Sequence, residues 1–177
     1  MPDENKNLYL FEAIELRKEY DCRIKLMEEL LAEENNGNEG LFSSREEDEK
    51  EPAPGFDAKK IEMGLKNQKI KRMKLNQAVQ EANFKYQIEL DGESITIAEA
   101  LDLRKNLLED LKSISRKVIG SAYKRIIHKE KRDIVKNPRQ PFQKTYDSYT
   151  DTIEKIRDII TSIHIANHNN IVTFREE

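Results

Sequence analysis

Apolar residues recur along two stretches of the chain in the same rhythm. In the first, Ala13, Leu16, Tyr20, Ile24, Met27 and Leu31 step by three and four residues. In the second, Ala100, Leu103, Leu107, Leu111, Ile114 and Val118 repeat those steps. Such spacing holds one stripe of a helix toward a partner helix. The stretches align without a gap at an offset of 87, the separation of Ala13 and Ala100, and Glu12, Leu16, Arg17 and Lys18 recur as Glu99, Leu103, Arg104 and Lys105. A weaker match follows each of them. Leu75, Val79, Ala82, Asn83 and Ile88 correspond to Ile159, Ile163, Ala166, Asn167 and Val172 at an offset of 84. The pattern predicts helices over 10–34, 58–84, 97–133 and 146–167, a mainly α fold built as two tandem repeats of a long antiparallel helical hairpin.

Between the halves, Asp91-Gly92 separates the short runs Tyr86–Leu90 and Ser94–Ile97, which reads as a two-residue β-hairpin turn. Thr96 to Glu99 forms a capping box that starts the third helix; Tyr9 stands at the equivalent place in the first copy. By the repeat, Leu8–Leu10 and Ile171–Phe174 supply two more short runs. A lone two-stranded ribbon is marginal, so all four runs are expected in one small sheet joining the repeats. The division is then 1–90 for the first repeat and 91–177 for the second, together one structural domain.

Composition agrees with solvent-flanked helices. Charged residues make up 37% of the chain, aromatics 7%, and mean hydropathy is −0.83. The net charge of −3 argues against a molecule that seeks polyanions as a whole. One cysteine, Cys22, excludes an internal disulfide, and its acidic neighbourhood points to a structural rather than a reactive thiol. The first residues lack the apolar core of a secretory signal, and no apolar run approaches the ~20 residues of a membrane span. A cytoplasmic protein with no integral membrane segment is expected.

Charge separates the two hairpin tips. The acidic, flexible loop 35–57 belongs to a stretch from Glu28 to Asp57 with 11 acids against Arg45 and Lys50. The basic connection 116–144 carries ten bases against Glu130 and Asp133, with Pro138 and Pro141 setting a turn.

The shared Glu-Ala-x-x-Leu-Arg-Lys start, the acidic loop, the Asp-Gly turn and two helices ending in Ala-Asn give the chain a likeness from about Leu8 to Phe174. In these features it resembles the septicolysin-like family of small, largely uncharacterised bacterial helical proteins. That resemblance implies a cytolysin and brings no residue-level mechanism with it.

Several residues are candidate sites. His164 and His168 are four apart, a spacing that places two imidazoles on one helix face as metal ligands, although no acidic or cysteine partner lies nearby in sequence. Asn83 and Asn167 occupy equivalent helix ends, where asparagine serves as a C-cap in the left-handed conformation. Arg17 and Arg104 sit beside Glu12 and Glu99, for surface pairing or bonding across the repeat interface; two converging guanidiniums would bind an anion. Lys124, Arg125, Lys129, Lys131 and Arg132 are candidate contacts to an anion or nucleic acid, with Tyr123, Phe142, Tyr146 and Tyr149 available to stack on bases.

No Ser-His-Asp order or glycine-rich phosphate loop stands out, so neither catalysis nor a cofactor is expected. Leu101, Leu108 and Ile119 widen the apolar face of the third helix beyond its seam. The leading expectation is therefore a non-enzymatic, self-associating scaffold, a homo-oligomer. A nucleic-acid-binding hairpin is the alternative, and a membrane-active protein the weaker one.

Overall fold

The computed structural model describes residues 6–36 and 52–175. Among the described residues the chain is mainly helical, with four long helices and three short antiparallel strand pairs. In order these are β1 (Lys6–Tyr9), α1 (Leu10–Asn36), α2 (Ala58–Lys85), β2 (Gln87–Leu90), β3 (Glu93–Thr96), α3 (Ile97–Ser121), β4 (Arg125–Ile127), β5 (Ile134–Lys136), α4 (Phe142–Asn169) and β6 (Ile171–Phe174). No described helix is long and apolar enough to cross a membrane. Most of the acidic 35–57 loop lies outside the described residues.

The chain divides into two compact units, Met1–Ala82 with Asn169–Glu177, and Asn83–His168. In the first unit, β1 pairs antiparallel with β6, so strands from opposite ends of the sequence lie side by side. Leu10, Ala13, Tyr20, Leu75, Val79, Ala82, Val172 and Phe174 are its buried apolar residues. Helices α1 and α2 run antiparallel, tied by Arg17 to Asn76 at 3.1 Å, Asp21 to Arg72 at 2.9 Å and Glu28 to Lys69 at 2.7 Å. Before α2, Pro54-Gly55 makes a tight turn, with Gly55 at φ +93° and the Phe56 N–H donating to the Ala53 carbonyl at 3.0 Å. Asp57 then caps the helix, its carboxylate accepting from the Lys60 N–H at 3.2 Å.

In the second unit, β2 and β3 form a hairpin around Asp91-Gly92, whose φ values of 52° and 82° are the left-handed pair that a type I′ turn requires. The capping box at Thr96 is complete. Glu99 N–H donates to the Thr96 hydroxyl oxygen at 3.2 Å, and Thr96 N–H donates to the Glu99 carboxylate at 2.8 Å. Ile88, Ile97, Ala100, Ile156, Ile159, Ile163 and Ala166 form the buried apolar set.

Two expectations are corrected. The four short runs near the helix ends form two separate two-stranded pairs rather than one sheet. Each pair has a helix against it, which supplies the burial that an isolated ribbon lacks. The third helix stops at Ser121 instead of 133, after the weak helix former Gly120. The β-branched runs beyond it pair as the β4–β5 hairpin, closed by a turn in which Arg132 N–H donates to the Lys129 carbonyl at 3.2 Å.

The local geometry around the β1–β6 and β2–β3 pairs coincides position for position. Tyr9 faces Ile171 as Thr96 faces Gln87, and Leu8 faces Val172 as Ile95 faces Ile88. Leu10 N–H donates to the Asn170 carbonyl at 2.8 Å, as Ile97 N–H does to Tyr86 at 3.0 Å. Where Tyr9 replaces the capping threonine, half of the box survives: Tyr9 N–H donates to the Glu12 carboxylate at 2.8 Å.

Candidate functional site

The most chemically distinctive part of the second unit is the segment that joins α3 to α4. Register in the β4–β5 hairpin sets Arg125 opposite Lys136 on one face and Ile126 opposite Val135 on the other. Ile126 and Val135 are both exposed, as is Tyr123, which is 84% accessible. Phe142 and Tyr146, one turn apart on α4, stack with ring centroids 5.7 Å apart and remain exposed. His128 Nδ1 and the Asp133 carboxylate meet at 2.9 Å across the hairpin, uniting two residues that the sequence analysis did not pair. Lys124, Arg125, Lys129, Lys131 and Arg132 are all exposed, so the expected anion contacts share one solvent-facing element.

At the base of this segment, Ser121 and Thr145 are each 6% exposed and their hydroxyl oxygens lie 2.8 Å apart. Ser121 also donates to the Val118 carbonyl at 2.8 Å, and Thr145 to the Phe142 carbonyl at 2.8 Å. The pair latches the last turn of α3 to the first turn of α4. Neither residue was singled out from sequence; small hydroxyl residues at two helix ends carry no periodic signal of a contact.

The other candidates each have their own local setting. Arg17 donates to the Asn76 side-chain oxygen, while Glu12 and Glu99 are engaged at their helix starts. Neither glutamate serves as the arginine partner that sequence proximity suggested. Position 160 is the counterpart of Asn76 at the 84-residue offset, and it holds Ile160, which offers no acceptor. Arg104 Nε is buried with no hydrogen-bond partner among the described residues.

Asn83 and Asn167 lie inside the last turns of α2 and α4 and neither has positive φ, so they do not form left-handed C-caps. Asn83 is buried, and the Asn167 side-chain oxygen is a buried acceptor without a partner among the described residues. His164 and His168 are exposed on α4, and no group of three or more His, Cys, Asp or Glu among the described residues is arranged to hold a metal. Cys22 is an exposed free thiol rather than a buried structural one, because its place beside the seam faces solvent.

A further surface emerges on α2, where Met63 is 70% and Met73 63% exposed, with Ile70 between them. They line a shallow apolar depression of about 520 Å³, edged by Lys66 and Lys69. The sequence signal was a second apolar row on α2 offset from the seam residues Leu75 and Val79.

The electrostatics of the described helix starts centre on Glu99. Hydrogen bonds from the Thr96 backbone and then its hydroxyl hold this carboxyl below the ordinary glutamate range, with a small opposing effect of burial.

No family model matches the chain, and no curated protein matches it. The fold is similar to the crystal structure of a functionally unknown conserved protein from Corynebacterium diphtheriae, with a TM-score of 0.71 and 17% sequence identity. That likeness covers 94% of this chain and 99% of the other. At this identity it establishes a shared fold.

Proposed function

We propose that the protein is a non-enzymatic scaffold, a tandem duplication of a helical hairpin, that self-associates through the apolar row on α2. The duplication draws support from the matched strand registers and helix-start hydrogen bonds around β1–β6 and β2–β3. Self-association rests on Met63, Ile70 and Met73, large apolar side chains presented side by side to solvent. Methionine rows suit such contacts because the flexible thioether adapts to its partner. Leu108 and Ile119 on α3, part of the face first suspected from sequence, are also exposed. Light scattering at micromolar concentration should give a mass above one chain, and the paired substitutions Met63→Lys and Met73→Lys should return it to one. A native chain that stays monomeric throughout that range would refute the proposal.

The β4–β5 hairpin favours a second reading, nucleic-acid binding. Basic residues at its tip and the exposed Tyr123, Phe142 and Tyr146 are the combination that engages phosphates and stacks on bases. Affinity for single-stranded RNA or DNA should then fall steeply with salt and vanish when Lys124, Arg125, Lys129, Lys131 and Arg132 are changed to glutamine. Binding indifferent to those changes would remove this reading.

A further inference from the structure

Where the end of α3 meets the start of α4, two adjoining cavities of about 360 and 420 Å³ share Lys117, Arg139 and Gln140 in their walls. The larger also takes in Lys144 and Thr145, and the smaller takes in Ser121. Three cations from α3, α4 and the connection between them therefore border one recess. No acid contributes to either wall among the described residues, and none of the three cations has an ion pair there. Like charges gathered without a counter-ion repel one another, and an anion of matching valence relieves that repulsion.

The rest of the recess suits the same occupant. Helix α4 begins at its rim with no acidic residue in the first turn, so the positive end of a 28-residue helix is not offset by its own sequence. The Ser121 and Thr145 hydroxyls contact each other and backbone carbonyls, which makes them a fixed floor rather than free donors. The Arg139 guanidinium offers a planar fork, the two lysines offer point charges, and the Gln140 amide offers a neutral donor. One carboxylate would neutralise only one of three cations. A volume near 420 Å³ lies within the roughly 300–1,000 Å³ typical of small-molecule sites.

We propose that this recess binds a phosphorylated small molecule carrying two or more negative charges, a diphosphate or its like. The proposal is independent of self-association through α2.

Isothermal titration of the full chain with inorganic pyrophosphate tests it. Saturable binding of one pyrophosphate per chain is expected, with orthophosphate weaker. Arg139→Gln and Lys144→Gln, at exposed positions where the fold should persist by circular dichroism, should each weaken binding about tenfold or more through loss of a charge-assisted hydrogen bond. Lys155→Gln, exposed further along α4 and outside both cavities, should leave affinity unchanged. Absence of heat at millimolar pyrophosphate would overturn the proposal. So would equal weakening by Lys155→Gln and Lys144→Gln, which marks a diffuse basic surface. Binding of a single-stranded oligonucleotide without any of pyrophosphate would also overturn it, in favour of the nucleic-acid reading.

Discussion

Replacing Phe174 with alanine removes a ring that is only 2% exposed, from a strand four residues long near the end of the sequence. Strand β6 pairs with β1 and lies against α1, so the ring belongs to the core of the first unit although about 140 residues separate it from that helix in sequence. Truncating a buried phenylalanine costs about 3–5 kcal/mol, combining lost transfer energy with the cavity left behind. That is a large share of the roughly 5–15 kcal/mol that holds a typical fold together. For a chain of this size each kcal/mol shifts the midpoint by about 2–4 °C, so a drop of about 6–20 °C is expected. Far-UV circular dichroism is the natural probe, because the chain has no tryptophan and four long helices. Hydrogen exchange should localise the loss, with the Leu10 amide, bonded to the Asn170 carbonyl at 2.8 Å, losing protection. Ile171→Ala, on the exposed face of the same strand, should cost less than about 1 kcal/mol. If the two substitutions shifted the midpoint equally, or Phe174→Ala moved it by less than about 2 °C, the burial argument for β6 would be wrong.

The remaining predictions concern one helix start and two glycines. Thr96→Ala removes the hydroxyl that accepts from Glu99 N–H and should destabilise the protein by about 0.5–2 kcal/mol in urea titrations. The same box has a pH signature. Because the folded Glu99 carboxyl titrates below its ordinary value, its contribution is complete at neutral pH. That contribution is lost as pH falls from the ordinary value through the lowered one, so the stability gap between native and Glu99→Gln chains should close in acid. Gly64→Ala should stabilise by about 0.5–1 kcal/mol, because the glycine is helical and the added methyl meets the Met27 methyl at an ordinary 3.6 Å. Gly92→Ala should destabilise, because φ of +82° strains any residue with a Cβ. Paired thermal melts check both signs at once.

The helices were legible in sequence because their apolar seams and terminal signals are local. Predicted starts at 10, 58 and 97 coincide with Leu10, Ala58 and Ile97, and the Thr96 box and Asp91-Gly92 turn depend on residues at most three apart. The overrun of the third helix had a local cause too. Arg125–Ile127 and Ile134–Lys136 satisfy each other's backbone only as a pair, and no helical periodicity reports that alternative.

The candidate sites were less legible for the same reason. Adjacency in sequence suggested that Glu12 and Glu99 pair with Arg17 and Arg104, whereas packing gave Arg17 to Asn76 and buried Arg104 Nε with no hydrogen-bond partner among the described residues. Residue type and spacing by themselves determined the starts of the first three helices, the Asp91-Gly92 turn and the Thr96 cap. Tertiary structure alone decided that β6 completes the first unit, that Ser121 meets Thr145, and that Lys117, Arg139 and Lys144 border one recess without a counter-charge. Periodicity reports which face of an element is apolar, while partners distant in sequence are chosen by shape and by the satisfaction of buried polar groups, and these exist only after the elements have packed.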